Sequence, residues 1–223
     1  MIRAVLCDIE GTTTPLSFVH DVLFPLSREK MDSFVRENWS SPEFLPVVEQ
    51  LKKEIADENP SAADIVHLLH SWIDADKKEG ALKQIQGKIW REAFESGQVC
   101  SPVYPDVPAK WAEWKKHGLQ IFIYSSGSIE AQQLLFRYSE AGDLTRFIDG
   151  YFDTSTGPKK EVDSYKKIAS VINLDPAEIL FLSDVSAELD AARKAGLQTV
   201  LLVRDWPHSI ATTFHQIRFT VSD

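Results

Sequence analysis

The chain has 223 residues, 43% of them hydrophobic and 26% charged, enough for one sizeable α/β core or a core with a small accessory domain, and too apolar for a disordered protein. Its 33 acidic side chains outnumber its 24 basic ones, for a formal charge of −9, and no long Lys/Arg block breaks that balance, so nucleic acid is not an expected partner. The two cysteines, Cys7 and Cys100, share no metal-type spacing and suit a reducing compartment. The first residues lack the features of a secretory signal, and no apolar run approaches the roughly 20 residues that cross a bilayer. A cytoplasmic protein with no membrane partner is expected.

In chain order, residues 3–7 form a short apolar run of the kind that becomes a buried parallel strand. Residues 12–17, rich in Thr and containing Pro15, read as a hinge. The long stretch that follows reads as helices only, over residues 20–37, 43–56, 62–74 and 82–95. A block of that size is not a structureless loop; it predicts a helical insertion, residues 17–97, acting as a cap. A second hinge with three prolines spans residues 101–108. Beyond it helix and strand alternate: helix 107–117, strand 119–124, helices 129–138 and 159–172, strand 178–182, helix 187–195 closed by Gly196, strand 199–203. That alternation predicts an α/β fold, a doubly wound parallel sheet built from residues 1–16 and 98–223, with ligands gathered at the carboxyl ends of the strands.

The first strand ends in Asp8-Ile9-Glu10-Gly11-Thr12-Thr13-Thr14, two carboxylates two positions apart before a turn rich in hydroxyls. An Asp there can attack phosphorus or bind a hard cation, and the Gly11 turn can offer backbone N–H groups to an anionic oxygen. Taken alone, the tripeptide is more often an Asp that begins a turn beside a solvated Glu, because Asp-x-Glu is common in any acidic chain. The next strand ends in Ile123-Tyr124-Ser125-Ser126-Gly127-Ser128 and runs into a helix, so Ser125, Ser126 and the first helical amides can donate to a phosphate, while Ser126 or Ser128 can also cap the helix. Gly157-Pro158-Lys159-Lys160-Glu161 sets a basic pair at a helix start, where the dipole favours negative charge. One lysine can balance an aspartate and a phosphate; a solvated turn is the alternative. Residues 179–182 deliver Ser183-Asp184-Val185 to the same edge. Asp8 and Asp184 on neighbouring strands make a site open enough for Mg²⁺, which takes oxygen ligands and keeps several waters. Without a cation their repulsion at contact distance, at an effective dielectric of about 20, is on the order of a few kcal/mol.

Acid, hydroxyl, lysine and acid, in that order, resemble the haloacid dehalogenase-like (HAD-like) phosphohydrolase superfamily, whose usual first motif is Asp-x-Asp-Gly-Thr. Here Glu10 stands where that motif has its second Asp. With Val103-Tyr104-Pro105-Asp106-Val107-Pro108 added, the chain looks like the enolase-phosphatase (acireductone synthase) branch over nearly its whole length, helical insertion included.

The resemblance implies that Asp8 is the nucleophile forming an aspartyl-phosphate and that Glu10 is the general acid/base. It implies one Mg²⁺ on Asp8, Asp184 and Glu10, the last through its main chain. Ser125 and Ser126 would hold the substrate, and Lys159 is the motif lysine because Lys-x-Glu followed by Ser-Tyr matches Lys159, Glu161 and Ser164-Tyr165, leaving Lys160 in water. Glu188 either orients the metal waters or is an exposed helix residue. The implied reaction is enolisation and dephosphorylation of 2,3-diketo-5-methylthiopentyl 1-phosphate in methionine salvage, by a monomer, with Glu10 or Lys159 as the enolisation base. Phe18, Leu23 or Phe24 would contact the methylthio end. The alternatives are a phosphatase of another small phosphorylated metabolite, a dehalogenase, and a receiver-like phosphoryl-binding regulator. Trp111 and Trp114, and His67 and His70, three apart on helices, carry no assigned role.

Overall fold

The computed structural model describes the chain apart from residues 56–58, 76, 78, 205–213 and 218–223. It divides into two compact units, one made of Met1–Phe18 and Cys100–Asp223 and the other of Val19–Val99.

The first unit holds a five-stranded parallel sheet with the order β3-β2-β1-β4-β5: β1 Ala4–Cys7, β2 Gln120–Tyr124, β3 Gly150–Phe152, β4 Ile179–Ser183 and β5 Gln198–Leu201. β1 is apolar and fully buried because it is paired on both sides, Val5 lying opposite Ile121 on β2 and Leu180 on β4. Register puts Cys7 level with Ile123 and Leu182, so the residues after those three strands emerge side by side. The edge strand β3 is the element that the sequence did not announce. Its three residues, Gly150, Tyr151 and Phe152, are too few for a periodicity, and Gly150 is a residue that strands disfavour. Its position is imposed by pairing: the ring of Phe122 on β2 fills the space that a side chain at 150 would occupy.

Helices follow the strands. After the short α1 (Leu16–Phe18), the unit contains α6 Asp106–Lys116, α7 Ile129–Arg137, α8 Val162–Ile172 and α9 Ser186–Lys194. α8 begins at Val162, not at Lys159, so the two lysines lie in the turn before the helix and the conflict with its dipole disappears. α6 buries Trp111 and Trp114, which pack on Phe136 and Phe214 at ring separations of 5.2 and 5.3 Å; both tryptophans are core.

Among its described residues the second unit's elements are all helical: a π-helical turn at Val19–Leu23, then α2 Phe24–Asn38, α3 Leu45–Lys52, α4 Ala62–Asp74 and α5 Gly80–Glu95. The expected helix 20–37 is thus a π turn leading into α2, and the expected helix 43–56 is shorter, with residue 56 outside the described residues. Met31, Val48, Leu51, Ile65, Leu69 and Ile85 from all four α-helices form its core. Ser61 caps α4 in a reciprocal box with Asp64, accepting from the Asp64 amide at 3.3 Å while the Ser61 amide donates to Asp64 at 2.8 Å. No helix among the described residues is long and apolar enough to cross a membrane.

Candidate active site

Asp8 follows β1 directly. Its amide donates to the Leu182 carbonyl at 2.9 Å, extending the ladder by one residue, and one carboxylate oxygen accepts from the Ile9 amide at 2.7 Å. The chain then turns sharply, the amides of Thr12, Thr13 and Thr14 all aimed at the Ile9 carbonyl at 3.1, 2.8 and 2.9 Å. Gly11 makes the turn possible with φ of +68°, a left-handed conformation that costs little only without a side chain. Three threonines at 12–14 are buried under this turn, while Glu10 is half-buried.

Lys159 crosses 151 positions of sequence to donate to Asp8 Oδ1 at 2.6 Å, and lies 2.7 Å from Glu188 Oε2. Its turn is fixed by three hydroxyls that donate to consecutive carbonyls: Tyr124 to Gly157 at 2.8 Å, Ser164 to Pro158 at 2.7 Å and Tyr165 to Lys159 at 2.6 Å. Burial would lower the Lys159 pKa, but the charges of Asp8 and Glu188 and hydrogen bonds to both outweigh it and raise the value above the ordinary lysine range. The side chain stays an ammonium. Lys160 is exposed.

Glu188 is buried, which overturns one of its two readings, the exposed helix residue. It faces Lys159, and the Ser183 hydroxyl lies 3.1 Å from both Glu188 Oε2 and Asp8 Oδ2, with one proton to give to either. Burial pushes the Glu188 carboxyl up, against the opposing pull of Lys159. Ser183 and Glu188 are the residues that sequence reasoning left out of the site. The available signal was the position of Ser183 as the last residue of β4, beside Asp8.

Asp184 comes next along the same edge. A Cβ placed on Gly11 would fall 2.1 Å from Asp184 Oδ2, so this carboxylate lies directly on the Glu10–Thr12 backbone. Two carboxylates and a main-chain carbonyl make an all-oxygen set suited to a hard divalent cation that keeps most of its waters. Among the described residues no group of three or more His, Cys, Asp or Glu side chains is arranged to hold a metal.

On the other side of β1, Ser125 is buried, its amide donating to the Phe152 carbonyl at 3.2 Å and its hydroxyl accepting from Gly127 at 3.1 Å. Ser128 caps α7 through the Ala131 amide at 3.3 Å, and Ser126 is exposed. Gln132 secures this loop, donating to the carbonyls of Gly127 and Phe152 at 2.8 and 2.9 Å. The structure thus brings Asp8, Lys159 and Glu188 into direct contact, sets Asp184 against Gly11, and places Ser125 and Ser126 after the adjacent strand. Of the apolar candidates, Phe18 and Leu23 are buried and Phe24 is half-buried, packed on His20 and Trp90.

Comparison with known proteins fits this geometry. A family model described as haloacid dehalogenase-like hydrolase matches residues 2–196. The chain is 50% identical over 204 residues to "Enolase-phosphatase E1" of Sulfurihydrogenibium sp. (strain YO3AOP1), covering 92% of this chain and 89% of that protein. It is 44% identical over 223 residues to the protein of that name from Pectobacterium carotovorum subsp. carotovorum (strain PC1), covering 100% and 97%. Among solved structures, the UTR4 protein (Unknown transcript 4 protein) of Saccharomyces cerevisiae matches with a TM-score of 0.78 at 36% identity, over 94% of this chain and 93% of that one. The chain is therefore a hydrolase of the haloacid dehalogenase-like family and belongs, within it, to the enolase-phosphatase E1 family.

Proposed function

We propose that this enzyme enolises 2,3-diketo-5-methylthiopentyl 1-phosphate and then removes its phosphate, giving the acireductone 1,2-dihydroxy-3-keto-5-methylthiopentene in methionine salvage. The observation that carries the reading is Asp8 at the mouth of the central strand with the Lys159 ammonium 2.6 Å from its carboxylate, in a chain whose full-length relatives bear the enolase-phosphatase name.

An Asp8 oxygen attacks phosphorus, the ester P–O bond breaks, and Glu10 gives its proton to the departing enolate oxygen. Glu10 then takes a proton from the water that attacks the aspartyl-phosphate, releasing inorganic phosphate and restoring Asp8. Lys159 offsets the negative charge shared by Asp8 and the phosphoryl group, and Ser125 and Ser126 orient its oxygens. Asp8, Asp184 and the Glu10 main-chain carbonyl would hold one Mg²⁺, which would supply further neutralisation of phosphoryl charge and polarisation of a carbonyl. Abstraction of the carbon-bound proton falls to Glu10, because Lys159, held as an ammonium by Asp8 and Glu188, has no lone pair to accept it. The helical unit serves as a cap, and the enzyme works as a cytoplasmic monomer on a small phosphorylated metabolite.

The test is to mix metal-stripped protein with the diketo phosphate and follow acireductone absorbance and free phosphate together, with and without Mg²⁺. Both signals should rise only with Mg²⁺. Phosphate without acireductone would retain the Asp8 chemistry and move the protein to another phosphorylated substrate. A stable phospho-Asp8 without turnover would favour a receiver-like regulator.

A further inference from the structure

The motif Val103-Tyr104-Pro105-Asp106-Val107-Pro108 contributes none of the reacting groups, yet its acid is buried against an equally buried cation. Arg204, just beyond β5, presents two edges of its guanidinium to two different partners. Nη1 donates to the Asp106 carboxylate at 3.0 and 2.8 Å. Nε and Nη2 donate to the Thr12 carbonyl at 3.0 and 2.6 Å. Only 4% of the Arg204 side chain and 7% of the Asp106 side chain are exposed. The guanidinium lies 4.3 Å from the Tyr104 ring centre and 5.0 Å from that of Phe214, and the Phe214 amide donates to Asp106 at 2.6 Å.

A buried ion pair is weak in net stabilisation, and apolar side chains of similar volume often do as well. The geometry here supplies another reason for keeping it. Because C=O and N–H of one peptide point in opposite directions, drawing the Thr12 carbonyl to Arg204 turns the Thr13 amide the other way, onto the Ile9 carbonyl at 2.8 Å. Ile9 in turn donates its own amide to Asp8 Oδ1 at 2.7 Å. On the same side, the Tyr104 amide donates to the Thr13 carbonyl at 3.0 Å. A continuous set of bonds therefore runs from Asp106 and Arg204 through the 9–13 turn to the carboxylate of Asp8.

We propose that Arg204, aligned by Asp106, is a positioning residue that fixes the Thr12–Thr13 peptide and through it the attack geometry of Asp8. The inference rests on Asp8 being the nucleophile, as in the function proposed above. A lysine would not replace it, since an ammonium is a point charge and cannot present one edge to a carboxylate and another to a carbonyl.

The experiment compares wild type, Arg204→Lys and Asp106→Asn by steady-state phosphate release and by amide hydrogen exchange. For Arg204→Lys, kcat should fall about 10- to 100-fold with KM within about threefold. Exchange should quicken in peptides covering residues 9–14 while peptides from β4 stay unchanged. Asp106→Asn, which leaves one oxygen to accept from Arg204, should show a smaller change of the same kind and serves if Arg204→Lys does not fold. In Arg204→Ala, added guanidinium should restore part of kcat and equal sodium chloride should not. Unchanged kcat and unchanged exchange at 9–14 in a folded variant would overturn the assignment, as would exchange that quickens equally throughout the sheet. If the wild-type enzyme released no phosphate from the diketone, the proposed function would fall, while the exchange measurement would still decide on Arg204.

Discussion

Replacing Gly11 by alanine separates backbone strain from displacement of the Asp184 carboxylate, a proposed metal ligand. At φ of +68° a residue with a Cβ pays about 1–2 kcal/mol for the left-handed conformation. The new methyl would also stand 2.1 Å from Asp184 Oδ2 and 2.6 Å from its Cγ. Carbon atoms in contact need about 3.5 Å, so the carboxylate must retreat by roughly 1 Å, at an overpacking cost of about 1–3 kcal/mol. A displacement of that size in a positioned group lowers turnover about 100-fold. Gly118 provides the control, since its φ is +77° and a Cβ there would meet nothing within 4 Å. Gly118→Ala should therefore carry the strain alone, with full activity. Urea unfolding midpoints and phosphate-release rates on the two variants measure both quantities. Gly11→Ala retaining activity within about twofold, or Gly118→Ala losing as much as Gly11→Ala, would refute the account of Asp184 resting on the loop backbone.

Further outcomes follow from the same geometry. Lys159→Met leaves Asp8 and Glu188 buried without their cation and should destabilise the protein by about 3–5 kcal/mol, against about 0.5 kcal/mol or less for the exposed Lys160→Met, by urea unfolding at pH 7.5. The sign is set by the raised Lys159 pKa: its stabilisation is complete below the ordinary value of 10.5 and is lost only as pH rises through the raised one, so the gap between the two variants should hold from pH 7 to 9. Asp8→Asn should abolish phosphate release while leaving the melting temperature within a few degrees, at about 2–4 °C per kcal/mol for a chain of this size; retained turnover would remove Asp8 from the nucleophile role. Burial pushes the Cys7 thiol far above its usual range, whereas Cys100 is exposed. A thiol reagent at pH 8 should thus label one cysteine in the native enzyme and both in denaturant.

Four of the five strands could be read from the sequence because each is a short apolar run ended by polar or Gly-containing residues, and β1 and β4 announced the candidate site by running directly into Asp8 and Asp184. β3 escaped because three residues pairing with one neighbour leave no pattern to detect. The contact of Lys159 with Asp8 spans 151 positions. Local spacing holds no trace of such a pairing, and resemblance to a family was what distinguished this lysine from its neighbour. Glu188 was ambiguous for a rotational reason. Its place in the first turn of α9 suits an exposed acid, and only packing against β4 turns that face of the helix towards Ser183 and Lys159. Asp106 and Arg204 stand 98 positions apart, so the motif around Asp106 was visible while its purpose was not.

The central place of β1 has a consequence for synthesis on the ribosome. A strand that pairs with Ile121 on one side and Leu180 on the other has neither partner available when it emerges, whereas residues 19–99 form a compact unit contiguous in sequence. Domains tend to fold as units during translation, so the helical unit can complete its core while the fully apolar β1 waits for the chain that will flank it. During that interval β1 is the segment most exposed to mispairing. Asp8 gains its partners only once Lys159 and Ser183 have left the exit tunnel, and the turn beside it gains Arg204 later still.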